Sequence, residues 1–489
     1  MTMNELHVDV AIIGAGTAGL AAYRAAVAEG KTALLIEGGP YGTTCARVGC
    51  MPSKLLIAAA EMVYHAQHAA PFGVTATVSI DRREVMARVR RERDRFVGMV
   101  VDGVEKLPEA AKLVGWATFD GPHRLNVKAL PGGKDVDTTV HARTVVLASG
   151  SSPVVPPILK DIGDRLVVND HVFDWDELPE SIAVFGTGVI GLELGQAMHR
   201  LGARVRMFGR GGSLGGISDP AVRKRALEIF AAEMPINPDA DVKKVERVGE
   251  MVEITFVENG KTLTESFHCV LAAAGRKANL SNLGLETTGI KIDERGVPVF
   301  DRRTLQCGDS SIFIGGDASS DVPLLHEAAD EGKIAGANAA TFATDGKVAP
   351  GHRRSKLAIV FTDPNLAACG RTYAEVSHRS DVVIGEVDFA DQGRSRVMLQ
   401  NRGLLRVYAE KGTGRFLGAE MAAPRGEHMA HLLAWSHQAR LTIEQMLEMP
   451  FYHPVVEEGL RTALRDAAAK LAAASVTPSA VHDEVVAEA

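Results

Sequence analysis

The chain has 489 residues, 46% hydrophobic and 24% charged, with a formal net charge of −7. Such a length suffices for about three or four domains with sizeable cores. Mild acidity speaks against nucleic acid as an obligate partner, and no apolar run is long enough to span a bilayer. Met1 to His7 is polar, with neither a secretory signal nor a transit peptide, so a cytoplasmic location is expected.

Val8 to Ile13 reads as a buried strand entering Gly14-Ala15-Gly16-Thr17-Ala18-Gly19, followed by a small-residue helix from Leu20 to Ala28. Thr32 to Ile36 is the next strand, and Glu37 ends it. A G-x-G-x-x-G run between strand and helix, with an acid about 20 residues on, is a dinucleotide fingerprint. Gly14 would make the tight turn, Gly16 would admit the pyrophosphate to the helix N-terminus, and Gly19 would let helix and strand pack closely. Glu37 would take a ribose 2′-hydroxyl.

Cys45 and Cys50 follow in Gly42-Thr43-Thr44-Cys45-Ala46-Arg47-Val48-Gly49-Cys50-Met51-Pro52-Ser53-Lys54. With Cys269, Cys307 and Cys369 they make an odd, sparse set, which is no disulfide framework. A close pair in a reducing compartment is catalytic, metal-binding, or two unrelated buried thiols. No second half of a zinc site accompanies it, so no metal is expected. In a regular helix residues five apart have Cα atoms roughly 8–9 Å apart, and a disulfide tolerates at most about 7 Å. A bond between them therefore requires a bend, for which Gly49 and Pro52 are suited before a helix from Ser53 to Glu61. A helix N-terminus would also lower a thiol pKa.

Residues 81–107 carry Arg82, Arg83 and the run Arg88 to Arg95 at helical spacing. Interleaved Glu84, Glu92 and Asp94 favour a solvated face over a nucleic-acid surface. Thr144 to Ser151 and Ile312 to Ala318 are strand ends, the second finishing on Asp317, whose type is also common in plain turns. Between them Ser181 to Phe185, Gly186-Thr187-Gly188-Val189-Ile190-Gly191, a helix from Leu192 to Leu201 and the strand Val205 to Phe208 form a second dinucleotide unit. Two such units imply two dinucleotides, one held and one exchanged. After the second strand come Gly209 and Arg210; the arginine would receive a 2′-phosphate or be a solvated loop charge. Glu193, taken alone, reads as a solvated helix acid. Pro153 to Pro157 marks the crossover into this unit, and Ala272 to Asn279, with Gly275, the return.

Toward the C-terminus, Leu432 to Gln438 and Leu441 to Met449 read as helices, followed by Phe451-Tyr452-His453-Pro454-Val455-Val456-Glu457-Glu458. Histidine titrates near neutrality and suits proton exchange with a thiol, and a carboxylate nearby can fix its ring. The tail is small-residue-rich and acidic, and disorder is expected there.

From about residue 6 to 471 the chain resembles the flavin-dependent pyridine nucleotide–disulfide oxidoreductases of class I, most of all dihydrolipoamide dehydrogenase. The resemblance rests on the signature G-G-T-C-x-N-x-G-C-x-P-S-K, of which Gly42, Thr44, Cys45, Gly49, Cys50, Pro52, Ser53 and Lys54 are kept. It rests also on the A-T-G-S-like end at Ser149-Gly150, the G-D end at Asp317, the A-T-G-R-like return and H-P-x-x-x-E at His453 and Glu458. Thr43 stands where the signature has Gly, which puts a left-handed backbone there in doubt. Arg47 stands where it often has Asn, adding a positive charge that would depress a thiol pKa.

The resemblance implies an α/β fold: two Rossmann-like dinucleotide-binding domains plus a C-terminal α+β dimerisation domain. The expected division is 1–152 and 278–347 for FAD, 153–277 for NAD(P), 348–475 for the interface, and 476–489 as a disordered tail. It implies Cys45 as the interchange thiol, Cys50 as the thiolate against the flavin, and Lys54 near the flavin N5, paired with Glu193. Asp317 would bind the flavin ribityl chain. His453 would be the base and Glu458 its orienter, with Glu457 off register; the base would serve the other subunit of a homodimer.

The implied reaction is oxidation of dihydrolipoamide with reduction of NAD through a Cys45–Cys50 disulfide, with FAD as prosthetic group and NADP an alternative to NAD. Mercuric reductases and large thioredoxin reductases carry a C-terminal thiol or selenol pair, absent here, and soluble transhydrogenases lack the first thiol. An NADPH-dependent, glutathione reductase-like enzyme is the rival that Arg210 sustains. A non-catalytic flavoprotein subunit is the alternative of another class, and a 2-oxo acid dehydrogenase complex is the assembly that a dihydrolipoamide dehydrogenase would join.

Overall fold

The structure, a computed structural model, describes residues 4–475, so the expected disordered tail lies outside the described residues. The chain forms two compact units. One holds the chain up to Phe185 with Ala197–Arg204 and Val242–Arg353; the other holds Gly186–Gln196, Val205–Asp241 and the chain from Arg354 on.

In the first unit β1 (Asn4–Ile13) leads through the glycine turn into α1 (Thr17–Ala28). β2 (Ala33–Glu37) returns beside β1 in parallel, Val10↔Ala33 to Ile13↔Ile36. Val10 to Ile13 are buried because strands in such a layer are covered on both faces. Next come α2 (Thr44–Val48), α3 (Cys50–Gln67) and α4 (Arg82–Glu105). β3 (Lys112–Phe119) and β4 (Arg124–Ala129) form an antiparallel excursion between β2 and β5 (Thr138–Leu147). β5 runs parallel to β1 along its length and to the strand Ile312–Ile314 at its end.

The helix Leu325–Asp345 closes this layer. A Cβ on Gly332 would lie 2.1 Å from the Ala18 carbonyl oxygen, and one on Gly336 2.2 Å from that of Ala22. The two helices therefore meet backbone to backbone, which only glycine permits.

The arginines of α4 are matched by acids. Arg83 pairs with Glu177 at 2.8 Å, Arg90 with Asp176 at 3.4 Å and Arg93 with Asp174 at 2.5 Å. The helix whose charged face was expected to be solvated also docks an acidic loop. In the same unit Leu166–Val168, Cys269–Ala272 and Ser181–Phe185 pair in parallel, and Met251–Glu258 pairs antiparallel with Lys261–Phe267.

The second unit contains a five-stranded antiparallel sheet in the order Leu357–Val360, Asn365–Gly370, Phe416–Ala423, Leu404–Glu410, Val382–Asp388. The helices Gly426–Gln438 and Glu458–Ser475 share one core with it, built on residues such as Phe416, Met421, Leu433 and Leu464. The buried Asp219 carboxylate caps the helix Pro220–Glu233. It also accepts from Arg406 Nη1 at 2.8 Å and Tyr408 Oη at 3.0 Å, tying the helix to the sheet. The fold is thus α/β, with two Rossmann-like strand–turn–helix regions and a C-terminal α+β region built on the antiparallel sheet. Among the described residues, no helix is long and apolar enough to cross a membrane.

Candidate active site

At the first glycine turn, Gly14 adopts φ +107°, and a Cβ there would lie 2.3 Å from the Ala148 carbonyl oxygen. A Cβ on Gly19 would lie 1.8 Å from the Gly14 carbonyl oxygen, so α1 can close on the turn only without one. Gly16 faces open space, with no heavy atom within 4 Å of where its Cβ would be. No side chain caps the start of α1, leaving its first amides for an anion. The Glu37 carboxylate accepts from the Ala15 and Gly39 amides, each at 2.7 Å, and so stands at the turn.

At the end of β5, Gly150 is likewise open at φ +71°. The Ser149 hydroxyl is buried with no hydrogen-bond partner among the described residues. Asp317, leaving the strand Ile312–Ile314, accepts from Ser151 Oγ at 2.6 Å. An orphaned buried hydroxyl, two open glycines and an uncapped helix N-terminus are what a bound dinucleotide would satisfy, so these residues fit FAD.

The redox segment is bent, as a close approach of its thiols requires. α2 stops at Val48, Gly49 sits at φ −130°, ψ −113°, and α3 starts anew at Cys50. A side chain on Gly49 would crowd Thr44 O at 3.1 Å and Cys45 Cα at 3.3 Å. The second helix is longer than expected and begins earlier, with Pro52 in its first turn, where its missing amide is not needed.

Cys45 is half-buried and Cys50 exposed. The Cys45 thiol is pushed well above the ordinary thiol range by its hydrogen bond with Cys50, then by burial and by the Cys50 charge; the Cys50 amide and Lys54 pull the other way. For Cys45, contact with the second sulfur outweighs the lowering by the Cys50 amide and Lys54.

Two departures from the signature resolve differently from expectation. Thr43 keeps a left-handed backbone, φ 58°, ψ 149°, despite its branched Cβ. Its hydroxyl caps α2, accepting from the Ala46 amide at 3.3 Å. The Arg47 stem packs over Gly42 beside Val97. The cation acting on Cys45 is Lys54, whose Nζ donates to Ser53 Oγ at 3.3 Å.

At the second glycine turn Gly186 adopts φ +127° and Gly188 is open, while Gly191 lies in the first turn of the helix Val189–Arg200. Glu193 is 4% exposed and accepts from the Phe361 amide at 3.0 Å. The reading as a solvated acid is therefore corrected: its helix turns that face inward. Arg210 is exposed, and Gly275 is open at φ +115°.

His453 Nδ1 lies 3.1 Å from one Glu458 oxygen and 3.2 Å from the other. The same carboxylate accepts from Arg461 Nη2 at 2.9 Å and from the Val455 amide at 3.3 Å, and it is held below its ordinary range chiefly by the His453 contact. Because Glu458 begins the helix Glu458–Ser475, its position is set by that helix, while the His453 side chain remains 81% exposed.

Sequence reasoning missed two supporting networks. Arg276 donates from Nε to Ser151 Oγ at 2.8 Å, from Nη2 to Ser151 O at 2.6 Å and from Nη1 to Asn169 Oδ1 at 3.4 Å. Asn169 Nδ2 in turn donates to the Val48 carbonyl at 3.0 Å. The Asp317 turn and the redox segment are thereby linked through four side chains and one carbonyl. The second network is Glu331, fully buried, which accepts from the Gly316 amide at 2.8 Å and from Arg353 Nη2 at 2.8 Å. Burial raises its pKa although Arg353 opposes this. The R of the return motif was the only available signal.

Residues 8–332 match the profile of the pyridine nucleotide-disulphide oxidoreductases, and residues 357–464 that family's dimerisation domain. The mercuric reductase of Shigella flexneri is 30% identical over 467 residues, 93% of this chain and 80% of that protein. The dihydrolipoyl dehydrogenase of Haloferax volcanii is 31% identical over 472 residues, 94% and 96% of the two chains. A solved Cu(II) complex of the HOCl-induced flavoprotein disulfide reductase RclA from Escherichia coli superposes with a TM-score of 0.78 at 23% identity, covering 95% of this chain and 99% of that one, a likeness of fold. The chain belongs to the pyridine nucleotide-disulphide oxidoreductase family, flavoprotein oxidoreductases that use FAD and a pyridine nucleotide.

Proposed function

We propose that the protein oxidises dihydrolipoamide, or a closely similar dithiol, to the disulfide and passes the electrons to NAD. The observation that carries this reading is the hydrogen-bonded pair of thiols, Cys45 and Cys50, brought together by the break at Gly49. In the oxidised enzyme a substrate thiolate attacks Cys45 and breaks the Cys45–Cys50 bond, and Cys50 leaves as thiolate. The second substrate thiol then displaces Cys45, closing the substrate disulfide and leaving both cysteines reduced. His453 accepts the thiol proton, its ring held by Glu458. FAD supplies the two-electron step that joins the dithiol to the nicotinamide.

Gly14, Gly16, Gly19, Glu37, Ser149, Gly150 and Asp317 would hold FAD, with Lys54 and Glu193 paired beside it. Gly186, Gly188, Gly191, Arg210 and Gly275 would serve the nicotinamide dinucleotide. The FAD segments would be 1–152 and 278–347, separated by the nicotinamide segment 153–277. The base would act across a homodimer, formed through the segment 348–475. In support, His453, Tyr452, Trp435 and Met449 are exposed in the single chain. A cytoplasmic 2-oxo acid dehydrogenase complex is the assembly this activity would serve.

An NADPH-dependent disulfide reductase is the second reading. It is favoured by the exposed Arg210, which follows the strand Arg204–Phe208 with only Gly209 between them and no acid at that end. Comparing NADH and NADPH turnover with lipoamide and with glutathione disulfide decides between them. Lipoamide with NADH is the expected best pair. A preference for NADPH and glutathione disulfide sinks the first reading. Cys50→Ser separates either enzyme from a flavoprotein subunit without chemistry: turnover is lost in an enzyme and irrelevant to a scaffold. Absence of long-wavelength absorbance on anaerobic titration of the flavin-loaded protein with dithiol also counts against both enzymes.

A further inference from the structure

At the opposite end of β1 from Gly14, the parallel pairing with β5 sets His7 beside His141 and Glu5 beside Thr139. Side chains two apart on a strand share a face. Glu5, His7 and His141 therefore project together, while Leu6 and Val8 pack into the core behind them. The imidazoles lie face to face, with centroids 4.6 Å apart and planes 11° apart. His141 Nε2 is 4.0 Å from a Glu5 oxygen. One ligating atom from each of the three residues lies within 4.8 Å of the other two.

We propose that Glu5, His7 and His141 form a binding site for a borderline divalent transition-metal ion, of the class of Zn2+ and Cu2+. Two imidazole nitrogens and one carboxylate are the donors such ions take, whereas Mg2+ and Ca2+ select oxygen. Ligands about 2.0–2.1 Å from a tetrahedral ion lie roughly 3.4 Å apart. Side-chain rotation closes the difference, because the strands are locked in register from Asn4↔Thr138 to Ile13↔Leu147.

A stacked histidine pair alone would be an ordinary cross-strand contact. The carboxylate gathered with the pair, 4.0 Å from His141 Nε2, makes a third donor and supplies the charge a divalent ion needs. Glu5 and His7 are exposed and His141 half-buried, so the ion has access and water completes its shell. A bound ion cross-links the start of β1 to β5, the two strands that lead toward Gly14 and Ser149. Nothing in the linear chain announces the site, since His141 is distant in sequence.

The test uses flavin-loaded, metal-stripped protein carrying Cys45→Ser and Cys50→Ser, because the dithiol is a competing ligand. Calorimetric titration with ZnCl2 near neutral pH is expected to show one ion per chain. Adding His7→Ala and His141→Ala is expected to weaken binding by about 100-fold with the flavin spectrum unchanged. A readout that needs no histidine substitution is diethylpyrocarbonate labelling followed by mass spectrometry, in which Zn2+ shields His7 and His141. No binding at about 0.1 mM Zn2+, equal binding after the histidine substitutions, or labelling of both histidines regardless of Zn2+ overturns the proposal.

Discussion

The Asn169 side-chain amide donates to the backbone carbonyl of Val48, the residue directly before the Gly49 break in the redox segment. Asn169 is 5% exposed, so neither group has water to fall back on. Asn169→Ala leaves the Val48 carbonyl unsatisfied and removes an acceptor from Arg276. It is expected to lower stability by about 1–3 kcal/mol and to slow reoxidation of the thiol pair. Urea midpoints and stopped-flow thiol oxidation check this; an unchanged midpoint contradicts it.

Thr43 holds a backbone conformation that is nearly exclusive to glycine, at a strain of about 1–3 kcal/mol, and its hydroxyl offsets part of that by capping α2. The two effects separate by substitution. Thr43→Gly relieves the strain and loses little as a cap, so it is expected to stabilise by about 1 kcal/mol. Thr43→Ala keeps the strain and loses the cap, so it is expected to destabilise by about 1 kcal/mol. Calorimetric melting of both variants gives the answer, and shifts of equal sign refute the account.

Cys45 is raised by its hydrogen bond with Cys50, by burial and by the Cys50 charge. In the reduced protein its alkylation by iodoacetamide is therefore expected only at pH values well above those at which ordinary thiols react. Cys50→Ala removes the first and third causes and leaves burial. The alkylation profile of Cys45 should then move to lower pH, and a profile that stays in place would show that burial alone sets it.

His453→Gln is expected to reduce turnover by about 100-fold or more, and Glu458→Gln by less, with partial rescue in Glu458→Asp. The Glu458 carboxyl is held below its ordinary value of 4.5. A carboxyl whose folded value is lowered contributes stability in full above that ordinary value and loses it as pH falls through the lowered one. The stability gap between the parent protein and Glu458→Gln should accordingly stay level through neutral pH and shrink below about pH 4.5. Denaturation midpoints across this range test the sign; a gap that widens in acid rejects it.

Both glycine turns and the cysteine segment were legible because their chemistry depends on local spacing: Gly14 and Gly19 occupy points where any side chain collides with the adjoining backbone. The acid five residues after His453 was legible for the same reason. Asn169, Arg276, Glu331 and Arg353 were not. Each acts on a partner at least 15 residues away, and apart from the place of Arg276 in the return motif nothing nearby distinguishes them from surface polar residues. Thr43 was misjudged on a local rule about branched side chains, which the surrounding turn overrides. Glu193 read as a solvated acid only when taken apart from the resemblance, because an isolated helix acid carries no mark of which way its helix faces.

The glycine-lined seam between α1 and the helix Leu325–Asp345 also has a bearing on how the protein is born. A ribosome delivers α1 early and its packing partner some 300 residues later, after every strand of the intervening segment. Until Gly336 has emerged, Ala18 and Ala22 lack their cover and the central strand Thr138–Leu147 lacks its last neighbour. Prosthetic-group capture is therefore a late event in synthesis, and nascent chains cut short before that helix should emerge colourless however complete their first fingerprint is.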